Sequence, residues 1–411
     1  MRVLVIGSGG REHALCRALS LDPAVSGLHC APGNPGIAEL AAVHDVNPLS
    51  GAEVVDLAVQ LGVELVVVGP EAPLVAGVAD CVRAADIPCF GPSSGAARIE
   101  GSKAFAKEVM VAAGVPTARA FTCDSPNEVL AALSEFGAPY VVKDDGLAAG
   151  KGVVVTSSRE EAMSHAAGCV RVVVEEYLDG PEVSVFAVCD GETAMALQAA
   201  QDFKRAYDDD GGPNTGGMGA YTPLPWAPDG LVERVMTEIV RPTVAELAKR
   251  GTPYVGVLYA GLALTPRGPG VIEFNARLGD PEAQVILDRL ETPLAGLLMA
   301  AATGRLAEQE PPRFRDGAAV AVVVASEGYP AAPVSGDPIV IGDLPDGSYV
   351  LHAGTAVKDG RLVTNGGRVL NVVGTGKDVA EARRVAYEAV GQITLRGAHH
   401  RSDIALRAAQ A

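Results

Sequence analysis

The sequence predicts a multi-domain protein of the α/β class, and three observations carry that reading. Short apolar runs alternate with helical patterns through the first hundred residues. A strand-rich, glycine-rich stretch follows them. The length of 411 residues exceeds one simple domain, because about 100–200 residues per domain gives two to four. Hydrophobic residues at 48%, charged residues at 20% and 48 glycines describe a buried core with many loops rather than a disordered chain.

Residues 3–6 form an apolar run that ends in Gly7-Ser8-Gly9-Gly10, and residues 11–19 then read as a helix. Residues 65–68 and 87–90 are further runs, closed by Gly69-Pro70 and Gly91-Pro92. Parallel βαβ units have this form, and their ligands sit where strands end at the carboxyl side. The loops 7–11, 31–34 and 69–73 are therefore candidate ligand loops. A helix over 102–113 is stopped by Gly114 and Pro116. Phe105, Val109 and Ala112 give it an apolar face, with Lys103 and Lys107 on another. Strands are predicted at 140–143, 152–156, 172–175 and 183–188. A polar stretch, 208–220, interrupts the pattern before a helix over 231–250. Residues 257–264 and 271–275 read as strands joined by a turn at 265–270, and 294–303 as a helix. Residues 308–312 are a proline-bearing linker and a boundary. Beyond it, 318–326, 339–341 and 368–373 are strands, and 378–393 is an amphipathic helix.

The net charge of -17 opposes a role in gripping nucleic acid, whose partners usually carry the opposite sign. Any phosphate ligand needs local Lys, Arg and backbone N–H groups. Seven scattered cysteines without a CxxC pair disfavour a zinc site and suit a reducing compartment. No run approaches the ~18 apolar residues of a membrane span, and the first apolar run is too short for a signal peptide. A cytoplasmic location, with neither a membrane nor a nucleic-acid partner, is expected.

The most informative segment is 271–282, Val-Ile-Glu-Phe-Asn-Ala-Arg-Leu-Gly-Asp-Pro-Glu. Period-two alternation puts Ile272 and Phe274 into the core. Glu273 and Asn275 then share the other face, about 6.5–7 Å apart. Both are oxygen ligands of the kind Mg²⁺ prefers. Arg277 follows and could hold a carboxylate or phosphate through two hydrogen bonds. Pattern alone is equally compatible with a half-solvated strand.

Four other segments carry weaker signals. Lys143 ends a strand before Asp144-Asp145-Gly146-Leu147-Ala148-Ala149-Gly150-Lys151-Gly152, a turn that suits an anion. It is not a P-loop, since Gly152 stands where Ser or Thr is needed; a flexible hairpin is the plain alternative. The run 172–182, with Glu175 and Glu182, could present groups to adenine and ribose, although surface carboxylates are common. The turn from Gly7 to His13 resembles the start of GxGxxG, but Glu12 stands at the third glycine. No acidic residue closes the second strand, so a nicotinamide cofactor is disfavoured. Gly9, Gly10 and Arg11 at a helix start still suit one phosphate. His13 packs or caps. Gln201-Asp202-Phe203-Lys204-Arg205 and the loop Asn214-Thr215-Gly216-Gly217-Met218-Gly219 suit a small polar substrate or form a long surface loop. His399 and His400 are expected to face solvent.

Taken in order, these segments resemble the phosphoribosylamine–glycine ligase (glycinamide ribonucleotide synthetase) family of ATP-grasp enzymes. The resemblance runs almost end to end, including 3–14, 31–34, 68–74, 90–105, 143–153, 174–178, 214–221, 271–282 and 364–370. It implies an N-terminal Rossmann-like (pre-ATP-grasp) domain over 1–101 and a two-lobed ATP-grasp core over 102–307. The small lobe would span about 119–188, and a small C-terminal α/β domain 313–411. It further implies ATP contacts from Lys103, Lys143, Gly150, Lys151, Gly152, Glu175, Leu178 and Glu182. Glu273 and Asn275 would hold Mg²⁺, with Mn²⁺ as a substitute. Substrate contacts would come from Gly9, Gly10, Arg11, Asn34, Glu71, Asn214, Gly216, Gly217 and Met218, and catalytic contacts from Arg277 and Asp202. The implied reaction joins glycine to 5-phosphoribosylamine through glycyl phosphate, in a monomer.

The sequence departs from the family at three positions, where Asp144, Phe203 and Ala276 replace the frequent Ala, His and Cys. Asp144 adds negative charge beside a phosphate loop, and Phe203 removes a proton carrier. Segment 157–171 lacks a Phe-Gly-containing loop. Strand 257–264 contains no carboxylate, leaving Glu273 and Asn275 as the main protein ligands of the metal. Three other readings are a sibling ATP-grasp ligase or carboxylase, a nicotinamide-dependent dehydrogenase and a non-catalytic nucleotide sensor.

Overall fold

The computed structural model describes residues 1–147 and 152–410. The N-terminal strands are β1 (Arg2–Gly7), β2 (Gly27–Pro32), β3 (Ala42–Val43), β4 (Leu65–Val68) and β5 (Cys89–Phe90). They form a parallel sheet in the order β3-β2-β1-β4-β5. Helices α1 (Gly10–Ser20), α2 (Gly51–Leu61), α3 (Glu71–Val75), α4 (Val78–Ala84) and α5 (Ser94–Gly101) connect and follow them. Val3, Leu4, Val5 and Ile6 are wholly buried because both faces of the sheet are covered. The chain reverses its direction of travel across the sheet between β1 and β4. Gly7 is level with Pro32, and Ile6 with Val68. The three ligand loops expected from sequence therefore meet at this switch point. The predicted strand over 87–90 is shorter than expected, pairing only at Cys89–Phe90.

Helix α6 (Lys103–Ala113) leads into the small lobe. It contains β6 (Ala120–Cys123), α7 (Pro126–Phe136), β7 (Tyr140–Asp144), β8 (Val153–Thr156), α8 (Arg159–Ala167) and β9 (Val172–Glu175). The strands form an antiparallel sheet ordered β6-β9-β7-β8. Val129, Leu133, Val142, Ala162 and Val174 make its separate core.

The next strands are β10 (Glu182–Asp190), β11 (Ala194–Ala196), β12 (Gln201–Asp202), β13 (Arg205–Tyr207), β14 (Gly211–Asn214) and β15 (Gly219–Thr222). Helices α9 (Leu231–Val235) and α10 (Arg241–Lys249) follow, joined by a π-turn at Met236–Val240. The helix expected over 231–250 runs unbroken from Leu231 to Lys249, with its hydrogen bonding widened to a π turn just before Pro242, which has no N–H to donate. Long strands β16 (Val255–Thr265) and β17 (Gly268–Asn275) complete the sheet β11-β10-β16-β17. Helices α11 (Glu282–Arg289) and α12 (Leu294–Ala302) close the large lobe.

The last part contains β18 (Ala318–Ala325), β19 (Ile339–Ile341), β20 (Ser348–His352), β21 (Thr355–Lys358), β22 (Arg361–Thr364), β23 (Arg368–Gly376), α13 (Val379–Val390) and β24 (Ile393–Leu395). One sheet runs β12-β15-β18-β23-β20. It crosses the linker at 308–312, because β15 pairs antiparallel with β18. His399 is not free in solvent as expected: its Nε2 lies 2.6 Å from the Ala206 carbonyl, tying the C-terminal segment to β13.

Candidate active site

On β17 the expected alternation holds for one face and fails for the other. Tyr259 lies opposite Asn275 and Gly261 opposite Glu273, but Leu262 lies opposite Val271, so Ile272 is the extra residue of a bulge. Val271 and Phe274 are the buried apolar residues, while Ile272 is half-exposed rather than in the core. The bulge leaves Glu273 and Asn275 on one face. It also frees the Ile272 carbonyl, which accepts a hydrogen bond from Lys143 Nζ at 2.8 Å.

Lys143 is buried at the end of β7, and its Nζ also lies 2.9 Å from Glu175 Oε2. Lys107 stands 3.3 Å from the other oxygen of Glu175 and donates to Thr117 Oγ1 and the Ala118 carbonyl. Burial pulls the Lys107 ammonium down to about 8, against the pull of Glu175. Lys107 was legible as the residue one helical turn beyond Lys103, yet its part in clamping Glu175 was not. Lys103 Nζ donates to the Gly146 carbonyl at 2.8 Å, and burial lowers its pKa despite the nearby Glu273 charge. Asp145 Oδ1 accepts from Ser102 Oγ and from the Ala104 amide, so this carboxylate seats the end of β7 on the start of α6. The Gly152 carbonyl accepts from the Asp144 amide at 2.7 Å. Gly150 and Lys151 lie outside the described residues. Leu178 lies over Gly270, 3.1 Å from where a β-carbon there would stand.

Glu273 accepts no hydrogen bond and forms no ion pair among the described residues. A half-exposed carboxylate without a partner beside a carboxamide oxygen, in the field of Lys103, fits a hard cation. Further along this face, Lys204 Nζ bonds Glu182 at 2.6 Å and approaches Asp202 at 3.6 Å. Burial drives the Asp202 carboxyl up to about 7, with Lys204 opposing and Glu282, Glu182 and Glu273 adding to it. Burial alone would lower the Lys204 ammonium, but Asp202 and Glu182 outweigh it and keep it charged.

Arg277 is not an open anion fork. Its Nε bonds Glu71 Oε2 at 3.2 Å, and its Nη2 bonds Glu100 Oε1 at 2.9 Å and Asn275 Oδ1 at 3.2 Å. Arg11 shares Glu71, at 3.6 Å, and donates to the Gly69 carbonyl. Burial would raise the Glu71 pKa, but Arg277 and Arg11 together hold it low. Sequence reasoning missed Glu100, which carries no local pattern.

A cleft of about 330 Å³ opens beside this cluster, lined in part by Ser8, Gly9, Asn34, Asp280, Tyr329 and Arg368. Asn34 Nδ2 donates to the carbonyls of Ser8 and His352, joining the N-terminal sheet to β20. Arg368 Nη1 donates to the Gly216 carbonyl at 2.6 Å, and its Nη2 lies 3.3 Å from Asp280 Oδ2. Tyr329 Oη accepts from the Gly216 amide. Gly216 and Gly217 thus meet the cleft through Arg368. Met218 is wholly buried, and Asn214 accepts from Arg205 within the β13–β14 hairpin. The phosphate expected on Gly9, Gly10 and Arg11 finds the helix start already filled. The Gly9 amide donates to Glu12 Oε2 at 2.7 Å, and the Glu12 side chain occupies the space where β-carbons at Gly7 and Gly69 would be. Gly10 faces Asn371 and Gln284 instead, and Arg11 is buried. The same carboxylate stands where a dinucleotide's pyrophosphate would approach. His13 is buried, and its Nδ1 accepts from the His352 amide.

Two lobes that meet across buried lysines and an oxygen-bearing strand, behind a Rossmann-like sheet, place the protein in the ATP-grasp class. Family models agree along nearly the whole chain. Residues 1–100 match "Phosphoribosylglycinamide synthetase, N domain", 101–283 its ATP-grasp (A) domain and 319–407 its C domain. Phosphoribosylamine–glycine ligase of Streptomyces coelicolor is 66% identical, over 100% of both chains. The crystal structure of phosphoribosylamine–glycine ligase from Thermotoga maritima is 36% identical with a TM-score of 0.86, covering 98% of this chain and 100% of that one. The biotin carboxylase domain of Hydrogenobacter thermophilus 2-oxoglutarate carboxylase has a TM-score of 0.75 at 17% identity, covering 97% and 91%, and shares the fold alone. The chain belongs to the phosphoribosylglycinamide synthetase family.

Proposed function

We propose that this protein joins glycine to 5-phosphoribosylamine, converting ATP to ADP and phosphate and giving glycinamide ribonucleotide for purine biosynthesis. The observation that carries the reading is the cleft's position. Asp280 lines it, and the same short segment begins at Asn275 on the strand that faces Lys143. A sugar phosphate in the cleft would therefore hold its amine beside the place where a carboxylate is activated.

A free carboxylate resists attack because its leaving group would be oxide. Transfer of the γ-phosphoryl group gives glycyl phosphate, whose leaving group is phosphate; the amine then attacks and phosphate departs. Lys103, Lys143 and the 146–152 turn hold the ATP phosphates in line, with Gly150 and Lys151 in that turn. Glu175, Leu178 and Glu182 meet the nucleoside. Glu273 and Asn275 would hold Mg²⁺, which would supply neutralisation of the phosphate charge. Arg368, with Ser8 and Asn34 on the same cleft wall, receives the sugar phosphate, and Glu71 with Arg277 forms the wall between the two sites. Asp202 and Lys204 lie on the glycine side, where Asp202 can accept a proton near neutral pH. Lobe closure excludes water from the acyl phosphate. The protein works in the cytoplasm as a monomer on small-molecule substrates.

ADP release with each substrate omitted in turn tests this reading. Formation of ADP that needs both glycine and phosphoribosylamine is expected; indifference to either would overturn it. Glu273→Ala should keep the fold and lose turnover at least 100-fold, consistent with loss of one charge-stabilising contact.

A further inference from the structure

We propose that Glu100 is a positioning residue that fixes the metal-facing oxygen of Asn275 through Arg277. The proposal rests on the reading of Glu273 and Asn275 as cation ligands. Glu100 is the penultimate residue of α5, a helix of the N-terminal sheet, whereas Asn275 ends β17 of the large lobe. Its carboxylate is 9% exposed and reaches across that junction with both oxygens. Oε2 accepts from the Ala276 amide at 2.7 Å, which fixes the backbone immediately after Asn275. Oε1 accepts from Arg277 Nη2 at 2.9 Å. The same Nη2 donates to Asn275 Oδ1 at 3.2 Å, while Glu71 holds the Nε edge of the guanidinium at 3.2 Å.

This arrangement decides which end of the carboxamide faces which way. An asparagine offers an acceptor and a donor of nearly equal size, and a neighbouring group must choose between them. A guanidinium can only donate, so it selects Oδ1. A carbonyl oxygen has two lone pairs: Arg277 takes one and leaves the other for a cation. The guanidinium itself can turn only as far as Glu100 and Glu71 allow. Partners of this second kind commonly carry 10–100-fold of a site's metal affinity. Neither Glu100 oxygen is left over for substrate, so its influence runs through Arg277 and the Ala276 amide.

Mn²⁺ bound to the full-length protein in the presence of ADP can be followed by water-proton relaxation, with thermal unfolding recorded on the same samples. Glu100→Gln keeps an acceptor for Ala276 but turns a donor toward Arg277. It is expected to weaken Mn²⁺ binding about 10-fold or more while remaining folded. Glu273→Gln is measured beside it. If Glu273→Gln weakens Mn²⁺ and Glu100→Gln binds as the parent does, the positioning role is overturned and the ligand reading stands. If neither variant changes Mn²⁺ binding, the ligand reading falls, and this proposal with it. Should Glu100→Gln fail to fold, Arg277→Lys takes its place, since a lysine cannot span Glu100, Glu71 and Asn275. Parental Mn²⁺ affinity in that variant overturns the proposal equally.

Discussion

Asp202 shows how one buried carboxyl makes stability depend on pH. Burial raises its pKa from 3.8 to about 7, while Lys204 opposes the rise. A carboxyl whose folded value is raised binds a proton in the folded state that the unfolded chain has already released. Its contribution is therefore most favourable below pH ~4 and declines as pH climbs to about 7. Asp202→Asn removes the titration. Relative to the parent, it should gain stability across that window, on the order of a few kcal/mol by pH 7, as read by urea unfolding at successive pH values. Single residues were unequally legible in the sequence. That Glu273 and Asn275 share a face was legible because their two-residue spacing survives on that side of β17. Glu100 and Arg368 were not, because each acts by reaching a distant segment. The Glu12 side chain reverses the apparent meaning of its own motif: the surrounding glycines make room for a carboxylate rather than a phosphate.

Among elements, β7, β9 and α6 are held together by Lys143, Glu175 and Lys107. Glu175 is 3% exposed, so it depends on both cations. Lys143→Met leaves it with Lys107 alone and frees the Ile272 carbonyl. A loss of about 3 kcal/mol is expected, at the low end for breaking a buried pair because one partner remains. Chemical denaturation would measure it, and the KM for ATP should rise in parallel. Element types and order were mostly visible beforehand, since apolar periods of two and of about 3.6 are local properties. The exceptions have tertiary or covalent causes. Ile272 leaves the core because β16 pairs with one residue fewer than β17 supplies. The long helix carries a π turn where Pro242 cannot donate, without ending there.

At the scale of the whole molecule, seven sheets of two to five strands build the described structure, and one of them joins parts that sequence assigns to different domains. Gly219, Ala220, Tyr221 and Thr222 pair with Val322, Ala321, Val320 and Ala319. A chain ended at residue 312 would expose the wholly buried Ala220 and almost wholly buried Tyr221 along an unpaired edge. Such a fragment should aggregate, and co-expression with residues 313–411 should restore solubility, which sedimentation of cell extracts would show. Recovery of a soluble, cooperatively folded 1–312 fragment would contradict this coupling. The linker at 308–312 was legible as a composition change, but nothing in it reveals that hydrogen bonds cross it.

That shared sheet also sets a timetable for the newborn protein. β15 ends at Thr222 and β18 begins at Ala318, so a ribosome adding about 5–20 residues per second reaches the partner on the order of 5–20 s later. Through that interval the large lobe is already emerging with β15 paired to β12 on one side and open on the side that will meet β18. The nascent chain thus has a built-in pause before its catalytic half can close, during which a chaperone or a neighbouring polysome chain could claim the open edge.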